Sequence, residues 1–247
     1  MSKEATDPIG RRYLKETRYT RRGLGEPSHS YPRGIPFKEY PEVAARVPIH
    51  LTQEPPPADL WKALVQRRSL RQYQTRYLTQ EELAALVWAT QGVTLVSQNY
   101  LLRTAPSAGA LYPVETYLAV HTVEEMEPGI WHLNLPDFSL ELLKGMDTRQ
   151  ALVQACLGQR FMGEASVDFI WTGILNRAMW KYRERAIRYI FLDAGHICQN
   201  LMLAATALEL GCCPVGAFFD DEVESLVGVD GIEEVALYLA SVGPLSK

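Results

Sequence analysis

The forty residues from Trp180 to Phe219 constrain the fold most strongly; they read WKYRERAIRYIFLDAGHICQNLMLAATALELGCCPVGAFF. Apolar residues recur at Ile187, Ile190, Phe191, Ala194, Ile197, Cys198, Leu201, Ala205 and Leu208. Steps of three and four residues are the spacing of a helix with a broad apolar face. The pattern predicts one helix from about Arg183 to Leu210, roughly 40 Å long at about 1.5 Å per residue. Gly211 is the expected stop. Pro214 cannot continue a helix, so Pro214-Val215-Gly216-Ala217 is read as a turn. A helix of this length spans a small domain, so the other elements are expected to pack around it.

Those elements follow in order from Asp59. Asp59 can cap a helix holding Leu60, Trp61, Leu64 and Val65, which runs into Arg67-Arg68-Ser69-Leu70-Arg71. Thr79 and Glu82 form a capping-box pattern before Leu83, Leu86 and Val87, and this helix should stop at Gly92. A loop is expected over Ser97 to Arg103. Val114, Thr116, Leu118 and Val120 fall on alternate positions of a strand, and the apolar runs flanking Pro136-Asp137 suggest a hairpin. Asp147 opens another helix through Cys156. Val167 to Leu175 reads as a buried strand, Asp220 to Leu226 as a short helix, and Val235 to Val242 as a last strand. Strands and helices do not alternate strictly, so the expected class is α+β with a mostly antiparallel sheet.

Residues 1–57 differ from residues 58–247 and are taken as a proline-rich N-terminal arm ahead of the main domain. The arm carries Pro8, Pro27, Pro32, Pro36, Pro41, Pro48 and Pro55-Pro56-Pro57, with a basic cluster from Arg11 to Arg22. Prolines this frequent block long helices and central strands. Tyr13, Tyr19, Tyr31, Phe37 and Tyr40 give the arm apolar surface to dock on the body or on a partner subunit; a partly disordered tail is the other reading.

A net charge of −4 gives no electrostatic case for binding nucleic acid. No apolar run reaches the ~18 residues of a membrane span, and the start MSKEATDPIG has no signal core. Cys156, Cys198, Cys212 and Cys213 form no CxxC pair, and the expectation is buried reduced thiols in a cytoplasmic protein. His29, His50, His121 and His132 share no metal spacing, so no metal site is expected. His196 is read as a core histidine of the long helix.

Four segments carry candidate chemistry. Arg67, Arg68, Ser69 and Arg71 place three guanidinium groups and a hydroxyl at a helix end, a donor set suited to phosphate and equally able to be solvated surface. Pro106, Ser107, Ala108 and Gly109 put small residues in a row before a strand, either a tight loop or a seat for a flat ligand. Pro214, Val215, Gly216 and Ala217 have the same character. Lys181 and Tyr182 are either a tuned acid/base pair or a solvated lysine beside a packed tyrosine.

Taken together and in order, RRSLR (67–71), APSAGALYPVE (105–115), KYRERAIRYIFLDAGHICQNL (181–201) and CPVGAF (213–218) resemble the nitroreductase family of flavin enzymes. The SagB-type branch, related to azoline dehydrogenases, is the closer match, and the resemblance covers about Asp59 to Pro244. It implies an intertwined homodimer with FMN at the subunit interface. It further implies that Arg67, Arg68, Ser69 and Arg71 hold the phosphate, ribityl chain and pyrimidine edge, and that Pro106–Gly109 arrive from the other subunit. Pro214–Ala217 would lie along the flavin ring. Lys181 and Tyr182 would match the pair to which azoline dehydrogenases assign base chemistry, in a ping-pong sequence of hydride transfer through flavin N5. The chain departs from many members at Ser241-Val242-Gly243-Pro244, where no arginine stands beside Gly243, so phosphate binding would rest on the first motif. The implied functions are azoline oxidation in a small molecule or peptide, NAD(P)H-dependent reduction of nitro compounds or quinones, or a flavin- or partner-binding role beside a cyclodehydratase-like protein.

Overall fold

The computed structural model describes residues 9–18, 30–49, 58–96 and 101–245. Tyr19, Pro27, His29, His50, Pro55–Pro57 and Ser97 lie outside the described residues, as do parts of the basic cluster. Helix α1 (Ile9–Glu16) is followed by strand β1 (Ala45–Pro48), then α2 (Leu60–Gln66), α3 (Gln80–Gln91), β2 (Val93–Val96) and β3 (Leu101–Arg103). A single 3-10 turn at Ala108–Ala110 leads to β4 (Val114–Val120), β5 (Gly129–Asn134) and β6 (Ser139–Gly145). Next come α4 (Arg149–Ala155), α5 (Phe161–Glu164), β7 (Val167–Ile174), α6 (Asn176–Tyr182), α7 (Ala186–Ala207), β8 (Leu210–Val215), α8 (Asp220–Val227) and β9 (Glu234–Pro244).

Local signals place the helices where the sequence puts them. The Asp59 carboxylate accepts from the Trp61 and Lys62 amides at the start of α2. Thr79 and Glu82 form a reciprocal capping box on α3, with Gly92 as its C-cap. Seven strands form one sheet in the order β1-β6-β5-β4-β7-β9-β8, and every neighbouring pair is antiparallel. The fold is therefore α+β, with a large antiparallel sheet and a long helix against it. Alternation sends Val114, Leu118 and Val120 of β4 to one face and Tyr117 and Ala119 to the other. The first face packs against α3 and α7, the second against α4 and α8.

Helix α7 buries Ile190, Asp193, Ala194, Ile197, Cys198, Leu201, Met202 and Ala205. Each fully buried aliphatic side chain on this stripe contributes about 2 kcal/mol. Asn200 Nδ2 donates to the Ala89 carbonyl of α3 at 3.1 Å, tying the two helices together.

The helix limits differ from expectation at both ends. Arg183 takes φ +54°, which breaks the chain into α6, a 3-10 turn at Arg183–Arg185, and α7. At the other end Leu208 caps α7 and Glu209 takes φ +59°, so the reversal precedes Gly211. Gly211 lies inside β8, where a Cβ would stand 2.7 Å from Leu245 Cδ2 and 3.0 Å from Tyr73 Cε1. Pro214 and Val215 belong to β8 rather than to a turn, which starts at Gly216. Pro214 is tolerated because β8 is an edge strand. The end of the loop expected over Ser97 to Arg103 is instead β3, paired with β2 in a two-stranded ribbon. His196 is exposed on α7, not in the core, because Asp193, Ala194, Ile197 and Cys198 take the buried face around it.

The proline-rich segment also shapes the fold. Its strand β1 extends the main sheet beyond β6. Residues 30–37 run along α6, where Gly34 N donates to the Asn176 carbonyl at 3.3 Å and Arg177 Nε to the Ile35 carbonyl at 2.6 Å. Tyr31 donates to the Glu184 carboxylate. Short helix α1 reaches the start of α7, with Arg185 Nη1 donating to the Thr17 carbonyl at 3.0 Å.

Candidate active site

The candidate residues fall into two groups, toward opposite ends of α7. The first surrounds the end of α2. Arg67 is the α2 C-cap, its amide donating to the Ala63 carbonyl at 2.9 Å. Leu70 N donates to the Cys212 carbonyl at 3.0 Å, which pins the arginine segment to β8. Arg68, Ser69 and Arg71 are exposed and Arg67 is half-buried. Arg68 Nη1 donates to the Val65 and Arg67 carbonyls at 3.0 and 2.7 Å. Arg71 lies over the Phe161 ring at 5.5 Å. Burial raises the Cys213 thiol pKa, and the neighbouring Arg71 partly offsets this. Among the described residues no carboxylate forms an ion pair with Arg67, Arg68 or Arg71. Gly216 and Ala217 are exposed where β8 ends, and among the described residues a Cβ at Gly216 would come no nearer than 3.7 Å, to Tyr238. Three guanidinium groups free of carboxylates, a hydroxyl and an open stretch of backbone are a donor set that fits a phosphate-bearing flat cofactor such as FMN.

The second group surrounds the start of α7. Ser107 Oγ donates to Asp193 Oδ2 at 2.6 Å, and the Ala108 amide donates to Asp193 Oδ1 at 3.3 Å. Burial raises the Asp193 pKa, while the bonds from Ser107 and Ala108 hold the charged form. The Tyr112 amide donates to Ser107 Oγ at 2.9 Å, closing the loop on itself. Gly109 sits at φ +66°, followed by Ala110 at +54° and Tyr112 at +47°. A Cβ on Gly109 would stand 2.5 Å from Tyr182 Oη and 2.8 Å from Lys181 Nζ. Lys181, Tyr182 and the Pro106–Gly109 loop are thus brought together within one chain. Tyr182 packs edge-on against Tyr189 at 4.9 Å between ring centres.

Asp193, in the second group, and Thr206, beside α2 in the first, lie between three and four turns apart on α7, roughly 20 Å. Helix α2 exposes Trp61 (76%) and Val65 (71%), and α7 exposes Phe191 (57%) and Leu192 (54%), an apolar surface next to both groups.

Several residues at the site were not singled out from the sequence. Asp193 had a legible signal, a charge on the apolar stripe between Ile190 and Ile197. Arg103 and Arg177 had none, since their meeting depends on β3 and α6 converging. Arg177 pairs with the buried Glu115 carboxylate, which also accepts from His132 Nε2 at 2.7 Å. Burial alone would raise the Glu115 pKa; His132 and Arg177 instead hold it near about 2. His121 bonds Asp168 at 2.8 Å, and burial lifts the Asp168 carboxyl to about 6 against the pull of His121. Among the described residues no group of three His, Cys, Asp or Glu side chains is placed to hold a metal. No helix there is long and apolar enough to cross a membrane.

Comparison with known proteins gives a consistent answer. The nitroreductase family profile matches residues 64–243. A protein of Methanocaldococcus jannaschii named as a nitroreductase is 35% identical over 180 residues, 73% of this chain and 88% of that one. The trifolitoxin-processing protein TfxB of Rhizobium leguminosarum bv. trifolii is 30% identical over 56% of this chain and 39% of its own length. Among solved structures, a protein of Anabaena variabilis described as a nitroreductase has 33% identity and a TM-score of 0.66, covering 76% of this chain and 38% of that one. A Desulfovibrio desulfuricans structure so described, in complex with FMN, shares the fold at TM-score 0.54 and 17% identity, over 76% of this chain and 87% of that one. The chain thus spans well under half the length of two of these relatives.

Proposed function

Since this chain belongs to the nitroreductase family, we propose that it is an FMN-dependent oxidoreductase that acts as a homodimer. The observation that carries this reading is the separation of the two residue groups along α7. In one copy the Arg67, Arg68 and Arg71 donors stand apart from the Lys181–Tyr182 pair and the Pro106–Gly109 loop. Antiparallel packing of two copies through the exposed faces of α2 and α7 would bring the arginine group of one copy toward the Pro106–Gly109 loop of the other. It would also cover Trp61, Val65, Phe191 and Leu192.

In this reading Arg67, Arg68, Ser69 and Arg71 bind the FMN phosphate, ribityl chain and pyrimidine edge, and Gly216 and Ala217 let the backbone approach the ring with Pro214 and Val215 behind them. Pro106, Ser107, Ala108 and Gly109 close the site from the second copy. FMN, when bound, supplies reversible two-electron chemistry. The chain's own contribution is to orient the substrate and move a proton. Lys181 and Tyr182 are assigned that proton, which suits oxidation of an azoline ring in a peptide or related small molecule. The match to a trifolitoxin-processing protein supports the assignment; a cyclodehydratase-like partner is the companion this reading would call for. The main domain is taken as residues 58–247 with the arm ahead of it, in a cytoplasmic setting. A second reading, an NAD(P)H-fed nitro or quinone reductase, draws on the longer match to the Methanocaldococcus protein.

The test is the visible spectrum of the purified protein, its mass in solution, and anaerobic addition of NADH and NADPH. Flavin bands near ~370 and ~450 nm in a dimer are expected. Bleaching by a pyridine nucleotide selects the reductase reading. A colourless monomer that cannot be loaded with FMN overturns both.

A further inference from the structure

A cavity of about 500 Å³ opens beside Lys181 and Gly109, between residues 33–37, β3 and α6. Phe37, Leu101, Tyr112 and Trp180 give it apolar and aromatic walls. Arg33, Arg103, Arg177 and Lys181 also line it, and no Asp or Glu does among the described residues.

Two of these cations carry an unused donor. Arg177 is only 3% exposed. Its Nε donates to the Ile35 carbonyl at 2.6 Å and its Nη1 to the Glu115 carboxylate, while Nη2 is buried without a partner among the described residues. Arg103 Nη1 donates to Gln91 Oε1 at 3.0 Å and its guanidinium lies 4.3 Å from the Tyr112 ring centre, while buried Nε has no partner there either. Burial lowers the Arg103 pKa to about 10; Glu115 opposes that fall and Arg177 adds to it. A buried guanidinium N–H left unsatisfied is costly. Arg33, over the Trp180 ring at 5.1 Å, adds a further cation at the rim. Glu115 balances Arg177 from behind, so the cavity itself keeps an excess of positive charge.

We propose that this cavity is a substrate subsite that takes the carboxylate of a small molecule with a flat or apolar body, Arg103 and Arg177 binding the carboxylate and Phe37, Tyr112 and Trp180 the body. The inference deepens the oxidoreductase reading and rests on it for the word substrate: the cavity shares Lys181 and Gly109 with the proposed site. It also gives residues 33–37 a role, since Arg33, Gly34, Pro36 and Phe37 help to line the cavity.

The experiment is calorimetric titration of the full-length protein, as purified and after loading with FMN, with benzoate and with its neutral counterpart benzamide, flavin content being read separately from absorbance. Benzoate is expected to bind at least about tenfold more tightly than benzamide, without displacing flavin. Arg103→Gln is expected to remove that preference, and Arg33→Ala, at an exposed position, to weaken it severalfold, so a poorly folding Arg103 variant does not end the test. Equal binding of the two probes overturns the proposal, as does benzoate binding unchanged in Arg103→Gln and Arg33→Ala. Flavin released in step with benzoate binding also overturns it, because the cavity would then be the seat of the cofactor phosphate. A colourless protein that still prefers benzoate through Arg103 keeps the subsite and sinks the flavin reading. A flavoprotein indifferent to the charge of the probe does the reverse.

Discussion

Asp193 accepts the Ser107 hydroxyl at 2.6 Å, so the one carboxylate on the buried stripe of the long helix anchors the small-residue loop. The second oxygen takes the Ala108 amide. Replacing Ser107 with Ala leaves a buried carboxylate short of a donor, which costs about 1–3 kcal/mol. Asp193→Ala removes the anchor altogether and is expected to cost at least as much and to reduce flavin retention. Denaturant unfolding and bound-flavin content measure the two effects. An Asp193→Ala protein with unchanged midpoint and unchanged flavin would show that the loop holds its shape without the helix.

Gly109 is the tightest point of that loop. Its φ of +66° disfavours any L side chain, and a Cβ would meet Tyr182 Oη at 2.5 Å and Lys181 Nζ at 2.8 Å. Gly109→Ala therefore has to move either the loop or the Lys181–Tyr182 pair. The expected outcome is a loss of about 1–2 kcal/mol of stability and at least about tenfold in turnover, with the secondary structure intact by circular dichroism. Wild-type turnover in this variant would place the reacting atoms elsewhere.

How much of this was legible in the sequence depended on the range of the interaction. Asp59, Thr79 and Glu82 act within one turn, and their caps formed as read. The alternation in β4 marked a strand, while its burial on both faces follows from helices packing on either side of the sheet. The start of the long helix was read at about Arg183, close to Ala186, but helix α6 before it and the positive φ of Arg183 were not legible, because no glycine or proline marks that break. The strand over Leu210–Val215 was hidden by its proline, which only the edge position in the sheet makes acceptable. The two residue groups were found by motif, but their separation along α7 required the fold. Arg103 and Arg177 are 74 positions apart in the chain and come together at one cavity with Tyr112 and residues 33–37.

Two buried carboxyls should give opposite pH slopes. Glu115 is held near about 2, below its unfolded value of roughly 4.3. In that window the unfolded chain binds more protons, so stability rises with pH. The contribution is present above roughly pH 4.3 and is lost as pH falls through about 2. Asp168 is lifted to about 6, above its unfolded value of roughly 3.9, so its contribution is full below that value and lost as pH rises through about 6. Melting temperatures from pH 2 to 7 for the parent, Glu115→Gln and Asp168→Asn check this. Asp168→Asn should flatten the decline between pH 4 and 6, and Glu115→Gln the acid limb. A Glu115→Gln protein with the parental acid limb would remove this cluster from acid unfolding.

Among the described residues Arg67 and Arg71 have no carboxylate ion-pair partner, so their charge is available to a ligand. Each single change to Ala is expected to weaken FMN binding about tenfold, and the melting temperature of flavin-free protein should move by less than about 2 °C. Fluorescence titration with FMN measures the first effect and thermal unfolding the second. Undiminished affinity in the double variant would mean that the phosphate is bound by other residues.

Lys181 and Tyr182 sit at the end of α6 beside Gly109, and Lys181 also lines the cavity next to it. Lys181 is exposed and Tyr182 half-buried, so either can reach a substrate without rearrangement of the core. If they carry the proton in azoline oxidation, the double change Lys181→Met with Tyr182→Phe keeps the apolar bulk and removes both titratable groups. Azoline turnover should then fall by at least about 100-fold, with flavin content and melting temperature close to the parent. If the chain works as a reductase fed by a pyridine nucleotide, the same variant should still be bleached by NADH or NADPH. Full retention of azoline turnover would take both residues out of the proton step and leave Gly109 packed against them as a structural contact.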